Sequence, residues 1–288
     1  MNFTTYLEQK GIIQKTISRH EREIEKYENW LLTALEKTPE NATKKDLINY
    51  LGHIKEARNL SNATQSQLLQ ILKNYYSYLS QEQGVNNITA LVKIRGIKRT
   101  HLRPILTPEE LDLLCDSYYY FTQEYNPTAK ELRFTKDYKN VLQGRYIALT
   151  LIAYQGLQVS EIMSLTNESF DLRKATVKIY SSRKGAERTL SLEAHQLGSI
   201  IPFLQSNTCI IDNINQLERL SKTLKTLLPK YQDFTQIRAS KITNWIKIHG
   251  LRKAQYLAGH KNINSTERHI SGDFETLKND MNNFHPLR

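Results

Sequence analysis

Apolar residues recur at three- and four-residue spacing along much of this 288-residue chain, and that period commits it to helices. The clearest stripe runs from Asn62 to Gln83 as Leu68, Leu69, Leu72, Tyr75, Tyr76 and Leu79. Gly84 follows it, and a glycine suits the left-handed turn that ends a helix. Upstream, Ile17, Ile24, Tyr27, Leu31 and Leu35 mark one helical face that stops before Pro39. Thr43 and Asp46 then have the spacing of a capping box, opening a helix with Leu47, Tyr50, Leu51 and Ile54 inward. The tyrosines share the leucine face, which assigns them to a core rather than to stacking on bases. Only 11 Gly and 7 Pro interrupt the chain, so most of it is free to be helical.

The charge is uneven. Forty Lys and Arg against 29 Asp and Glu give +11, an excess that favours a polyanionic partner, nucleic acid first. Residues 1–90 hold 11 basic and 10 acidic side chains, so residues 91–288 hold 29 and 19. The attraction therefore lies mainly in the second part. Residues 91–106 carry Lys93, Arg95, Lys98, Arg99 and Arg103 with no acidic residue, either a strap along a phosphate backbone or a solvated linker. Cys115 and Cys209 are far apart and lack Cys-x-x-Cys spacing, so no disulfide framework, zinc site or other cofactor is indicated. Residues 1–10 contain no apolar leader core and no apolar run approaches the ~20 residues of a membrane span, so a cytoplasmic setting without membrane is expected.

Thr107, Pro108, Glu109 and Glu110 form a helix start, with Pro at the first helical position. Residues 118–140 are hard to assign and read as a possible insertion. A helix from about 141 to 155 leads to Gly156. Residues 175–180 and 188–192 alternate like two strands joined near Gly185. Helices are expected at about 194–204, 215–228, 235–248, 251–258 and 273–283. There is no internal repeat.

Several segments, in order, resemble the tyrosine recombinase (phage integrase) family. The opening helices, from Thr16-Ile17 to the ending Tyr75, Tyr76, Ser77, Tyr78, Leu79, resemble its SAM-like core-binding domain. Leu106 to Leu111 resembles the entry to its catalytic domain. Gly156-Leu157-Gln158-Val159-Ser160-Glu161 resembles the first-arginine motif, Arg183-Lys184-Gly185 the hairpin of the catalytic lysine, and Ile237-Arg238 with Ala258-Gly259-His260 the two later boxes. The resemblance implies a mainly α fold: a core-binding domain at 1–90, a basic linker at 91–106, and an α-rich catalytic-type domain with a small antiparallel sheet at 107–288. It also implies a double-stranded DNA partner, clamped by both domains.

In that family a tyrosine attacks the DNA phosphodiester while two arginines and a histidine steady the pentavalent phosphorus. Carried over, Lys184 matches the lysine, Arg238 the second arginine and His260 the later histidine. Three positions depart. Gln158 replaces the first arginine, Thr235 the histidine three before Arg238, and His269 stands nine beyond His260, where the tyrosine belongs. A carboxamide carries no charge and cannot replace a guanidinium fork. The expectation is a catalytically degenerate member that binds DNA through the linker cations, Lys184, Arg238, Lys241, Arg252, Lys253 and Lys261, and acts in recombination or mobile-element integration. The alternatives are an active recombinase with His269 as nucleophile and a protein-association module that no longer binds DNA. Residues 273–284, with Phe274, Leu277, Met281 and Phe284 on one face, resemble the family's C-terminal helix, which docks onto a neighbouring subunit, here another copy or an active recombinase; docking on its own domain is the equal alternative.

Overall fold

A computed structural model describes residues 2–96, 104–127, 137–182, 185–206 and 209–270. The expectations at Lys98, Arg99, Arg103, Lys184 and the C-terminal helix lie outside them. The chain divides into two compact units, Met1–His101 and Leu102–Arg288.

The first unit holds α1 (Phe3–Gln9), α2 (Gln14–Leu35), α3 (Lys44–Ala57) and α4 (Asn62–Gln83). Each later helix starts and stops where its residues dictate. Thr43 and Asp46 complete a reciprocal capping box on α3, and Gly84 ends α4 at φ +70°. The apolar stripes of α2, α3 and α4 meet in one core that includes Leu31, Leu47 and Leu72. Each such leucine contributes about 1.5–3 kcal/mol by leaving water. The tyrosines do belong to this core: the Tyr27 and Tyr76 hydroxyls lie 2.8 Å apart, and Tyr76 donates to the Pro39 carbonyl at 3.2 Å.

The second unit is built on α6 (Tyr138–Gln155), whose residues Ile147 to Ala153 are buried on every side. Around it pack α5 (Pro108–Glu124), α8 (Ala194–Ser206), α9 (Ile214–Leu227) and α10 (Phe234–His249). α5 opens on a capping box between Thr107 and Glu110 and continues through Tyr118 and Tyr119, into the stretch the sequence leaves unassigned. The short α7 (Val159–Ile162) leads into three antiparallel strands, β1 (Phe170–Asp171), β2 (Thr176–Ile179) and β3 (Arg188–Ser191), in the order β1-β2-β3. β1 is an addition to the expected two-stranded hairpin. Val177 and Leu190 pair across β2 and β3, both facing the core. α11 (Leu251–Ala258) and α12 (Ile263–Ile270) follow α10 and pack against it. No helix among the described residues is long and apolar enough to cross a membrane.

Candidate active site

α6 ends at Gly156, whose φ of +59° turns the chain back. A side chain there would also strike Trp245: a Cβ would lie 2.9 Å from its Cη2. Gln158 follows as the N-cap of α7, half-buried, and its backbone N–H donates to Glu161 Oε2 at 2.8 Å. Glu161 is buried at the bottom of the site. Arg188, entirely buried on β3, donates from both terminal nitrogens to its two oxygens, at 2.8 and 2.9 Å. The Arg238 guanidinium stands 3.8 Å from the same carboxylate. Burial opposes ionisation of Glu161, but Arg188, the Gln158 N–H and Arg238 outweigh it and hold the carboxyl below its usual range.

Arg238 projects from α10 and is also bonded to the backbone. It donates to the Gly156 carbonyl and, at 2.7 Å, to the Ala258 carbonyl. Burial brings its pKa down to about 10, with Glu161 opposing and Arg188 assisting the fall. Gly259 ends α11 at φ +67°, and a Cβ on it would lie 2.3 Å from an Arg188 nitrogen, so the glycine makes room for that guanidinium. The Gly259 carbonyl accepts the Ala186 N–H at 2.9 Å, and Gly185 bridges His260, which fixes the hairpin to the end of α11.

His260 and His269 stack with ring centres 5.7 Å apart and planes 12° from parallel. His260 Nδ1 is 3.0 Å from the buried Thr266 hydroxyl. Burial first, and the Arg238 charge second, push both imidazoles down to about 4. Both are therefore neutral at pH 7. The geometry gathers Gln158, Arg238, His260 and His269 around Glu161 and the ends of α6 and α11.

A family model described as the phage integrase N-terminal SAM-like domain matches residues 1–84. Over its length the chain is similar to the TnP I resolvase of Bacillus thuringiensis, 22% identical over 97% of both chains. It is 25% identical to the tyrosine recombinase XerC of Staphylococcus saprophyticus, covering 96% of this chain and 93% of the relative. Among solved structures it shares its fold with the Tn1549 transposon integrase in complex with transposon right end DNA, at TM-score 0.66, 16% identity and coverage of 99% and 100%. XerH recombinase bound to a difH substrate aligns at TM-score 0.67, 18% identity and coverage of 92% and 78%. Residues 1–84 thus match a phage integrase domain, and the chain as a whole is similar to tyrosine recombinases and shares their fold.

Within this tyrosine recombinase fold the remaining sequence candidates are dispersed. Thr235 is exposed in the first turn of α10. Lys241, one turn beyond Arg238, is half-buried with its ammonium 5.9 Å from the Tyr154 ring centre and 5.7 Å from that of Trp245. Burial lowers its pKa. Arg252 and Lys253 are exposed on α11, and Lys261 donates to the Ser182 carbonyl at 2.6 Å. In the first unit Lys93 and Arg95 are exposed. Sequence reasoning missed the Arg188–Glu161 pair. Its one local signal is an arginine on the inward side of a strand, in phase with the buried Leu190 and Leu192.

Proposed function

We propose that this chain is a duplex-DNA-binding tyrosine recombinase homologue that does not cleave and rejoin strands unaided, and that it acts in recombination or in integration of a mobile element. The observation that carries the reading is the state of the pocket. Arg238 is held by two carbonyls and by Glu161, Gln158 beside it is uncharged, and the position of the attacking tyrosine holds a neutral imidazole stacked on another. A phosphorane would meet one tethered guanidinium where the family supplies two. Losing a single oxyanion donor costs roughly 10²–10³ in rate. DNA binding is supported by the net charge of +11 and by solved relatives whose structures contain DNA. Residues 273–284 offer a route to a second copy or an active recombinase.

A second reading rests on His269: neutral imidazole is the nucleophilic form, and this ring lies beside Arg238. Incubation with supercoiled plasmid and nicked duplexes decides between them. The proposed function expects a salt-sensitive mobility shift with no relaxation and no detergent-stable adduct. An adduct that disappears in His269→Phe establishes the second reading, and the absence of any shift removes DNA binding.

A further inference from the structure

A cavity of about 300 Å³ opens between α6 and the start of α9, away from the recombinase pocket. Its polar lining is Arg145, Arg219, Asp212 and the carboxamides of Asn213, Asn215 and Gln216. Arg145 is only 4% exposed, and among the described residues no carboxylate pairs with it. Its Nε is buried without a hydrogen-bond partner. Two neutral rings adjoin it: the Tyr138 ring centre lies 5.9 Å away, and the Tyr118 phenol is close enough to interact with the guanidinium. A guanidinium does not escape burial by losing its proton, so an unpaired one in a protein interior calls for an anion.

The first turn of α9 faces the same space. This helix has 14 residues, its N-cap Asn213 makes no side-chain cap bond, and no acidic residue occupies its first turn. Its leading N–H groups and dipole therefore favour negative charge. Asp212, the one carboxylate in the lining, already accepts from the Cys209 thiol at 2.8 Å and from Gln216 Nε2 at 3.3 Å. The wall is firm, because Gly144 lets the Ile210 carbonyl come within 2.6 Å of where a Cβ would sit. That close approach fixes Arg145 against the 209–219 segment.

We propose that this cavity binds a phosphate group, gripped by Arg145 from inside and Arg219 from the rim, with the start of α9 donating backbone N–H groups. The group is carried by a small phosphorylated molecule or by a DNA backbone. The site shares no residue with the Arg238 pocket and stands whether or not the chain cleaves DNA.

The test is thermal unfolding of the full chain titrated with inorganic phosphate, chloride being exchanged to keep ionic strength constant. A saturable rise is expected. Arg219→Ala weakens the apparent affinity roughly tenfold, the usual loss for a charge-assisted hydrogen bond, and Asp212→Asn strengthens it by removing the opposing charge. Arg145→Met, which folds without a buried cation, loses the response. Tighter binding of a nucleoside monophosphate than of inorganic phosphate, undisturbed by duplex DNA, assigns the site to a small molecule. Displacement of phosphate by duplex DNA, lost in Arg219→Ala, assigns it to the backbone. No saturable rise, or one unchanged in Arg219→Ala and Asp212→Asn, overturns the proposal.

Discussion

Arg188 holds both carboxylate oxygens of Glu161, at 2.8 and 2.9 Å, with the whole guanidinium buried. The two residues are joined across a turn and a strand, and they tie β3 to the start of α7. Arg238 lies 3.8 Å from the same carboxylate, so one acid organises two cations. Glu161→Gln leaves both guanidinia without their counter-charge, and breaking a buried pair from one side costs about 3–5 kcal/mol. Urea unfolding is expected to show that loss. Because the folded carboxyl sits below its ordinary value of 4.5, the ionised pair contributes fully above that pH. The contribution disappears as pH falls through the folded value. The variant lacks that acid limb; an unchanged pH profile would contradict the pairing.

The stacked histidines act in the same direction, over a higher pH window. Both have folded values near 4 against 6.5 when unperturbed, so the unfolded chain binds more protons between these limits. Stability therefore falls as pH drops from 6.5 towards 4 and is indifferent to these groups above 6.5. His269→Phe keeps an aromatic face against His260 and removes one of the two protonations. Its stability is expected to decline less steeply over that interval, measured by chemical unfolding at a series of pH values. Imidazole resonances titrating near pH 6.5 in the folded protein would refute the assignment.

Gly156→Ala tests the junction that aims Gln158. The position needs φ +59°, and the added Cβ would lie 2.9 Å from Trp245 Cη2. The expected cost is about 1–3 kcal/mol of stability, together with a change in tryptophan emission. A variant as stable as the parent would mean that the turn relaxes freely.

Local signals explain most of what the sequence discloses. The capping boxes at Thr43 and Thr107 involve residues three apart, so their structures are written in adjacent letters. The stripes of α2, α3 and α4 are legible for the same reason. α12 escapes because Ile263, Thr266 and Ile270 make too short a pattern, and its place depends on packing against α10 and α11. At the site, the resemblance to the recombinase motifs identifies Gln158, Arg238, His260 and His269 as a set, and the fold brings them together. Spacing says nothing of the Arg188–Glu161 pair, whose members stand 27 residues apart and meet only when the sheet closes. Nor does it show that Lys241 lies over two rings rather than free in solvent.

Arg252 and Lys253 are exposed on α11, which ends at the Arg238 pocket. If they contact backbone phosphates, each contributes by releasing counterions. Replacing either with alanine is then expected to reduce the slope of log affinity against log salt by about 0.9. Mobility shifts on duplex DNA across a salt series measure this directly. A slope unaffected by the double substitution would place the DNA on another face.

Restoring the family residues provides the most demanding experiment on catalysis. His269→Tyr alone supplies a nucleophile to a pocket where, among the described residues, the cation beside the attack position is the tethered Arg238, and a phosphorane left half-neutralised should not form at a useful rate. Gln158→Arg alone restores charge but leaves nothing to attack. Their combination with Thr235→His returns all three departed groups, and catalytic groups acting as a unit gain far more together than singly. The expected outcome is no detergent-stable DNA adduct for the parent chain or either single variant, and a detectable one for the triple variant on supercoiled plasmid. Adduct formation by the parent chain would refute the loss of cleavage. A silent triple variant that still folds and binds DNA would show that the carbonyl and carboxylate contacts of Arg238 hold the pocket closed to phosphate even when its side chains are restored.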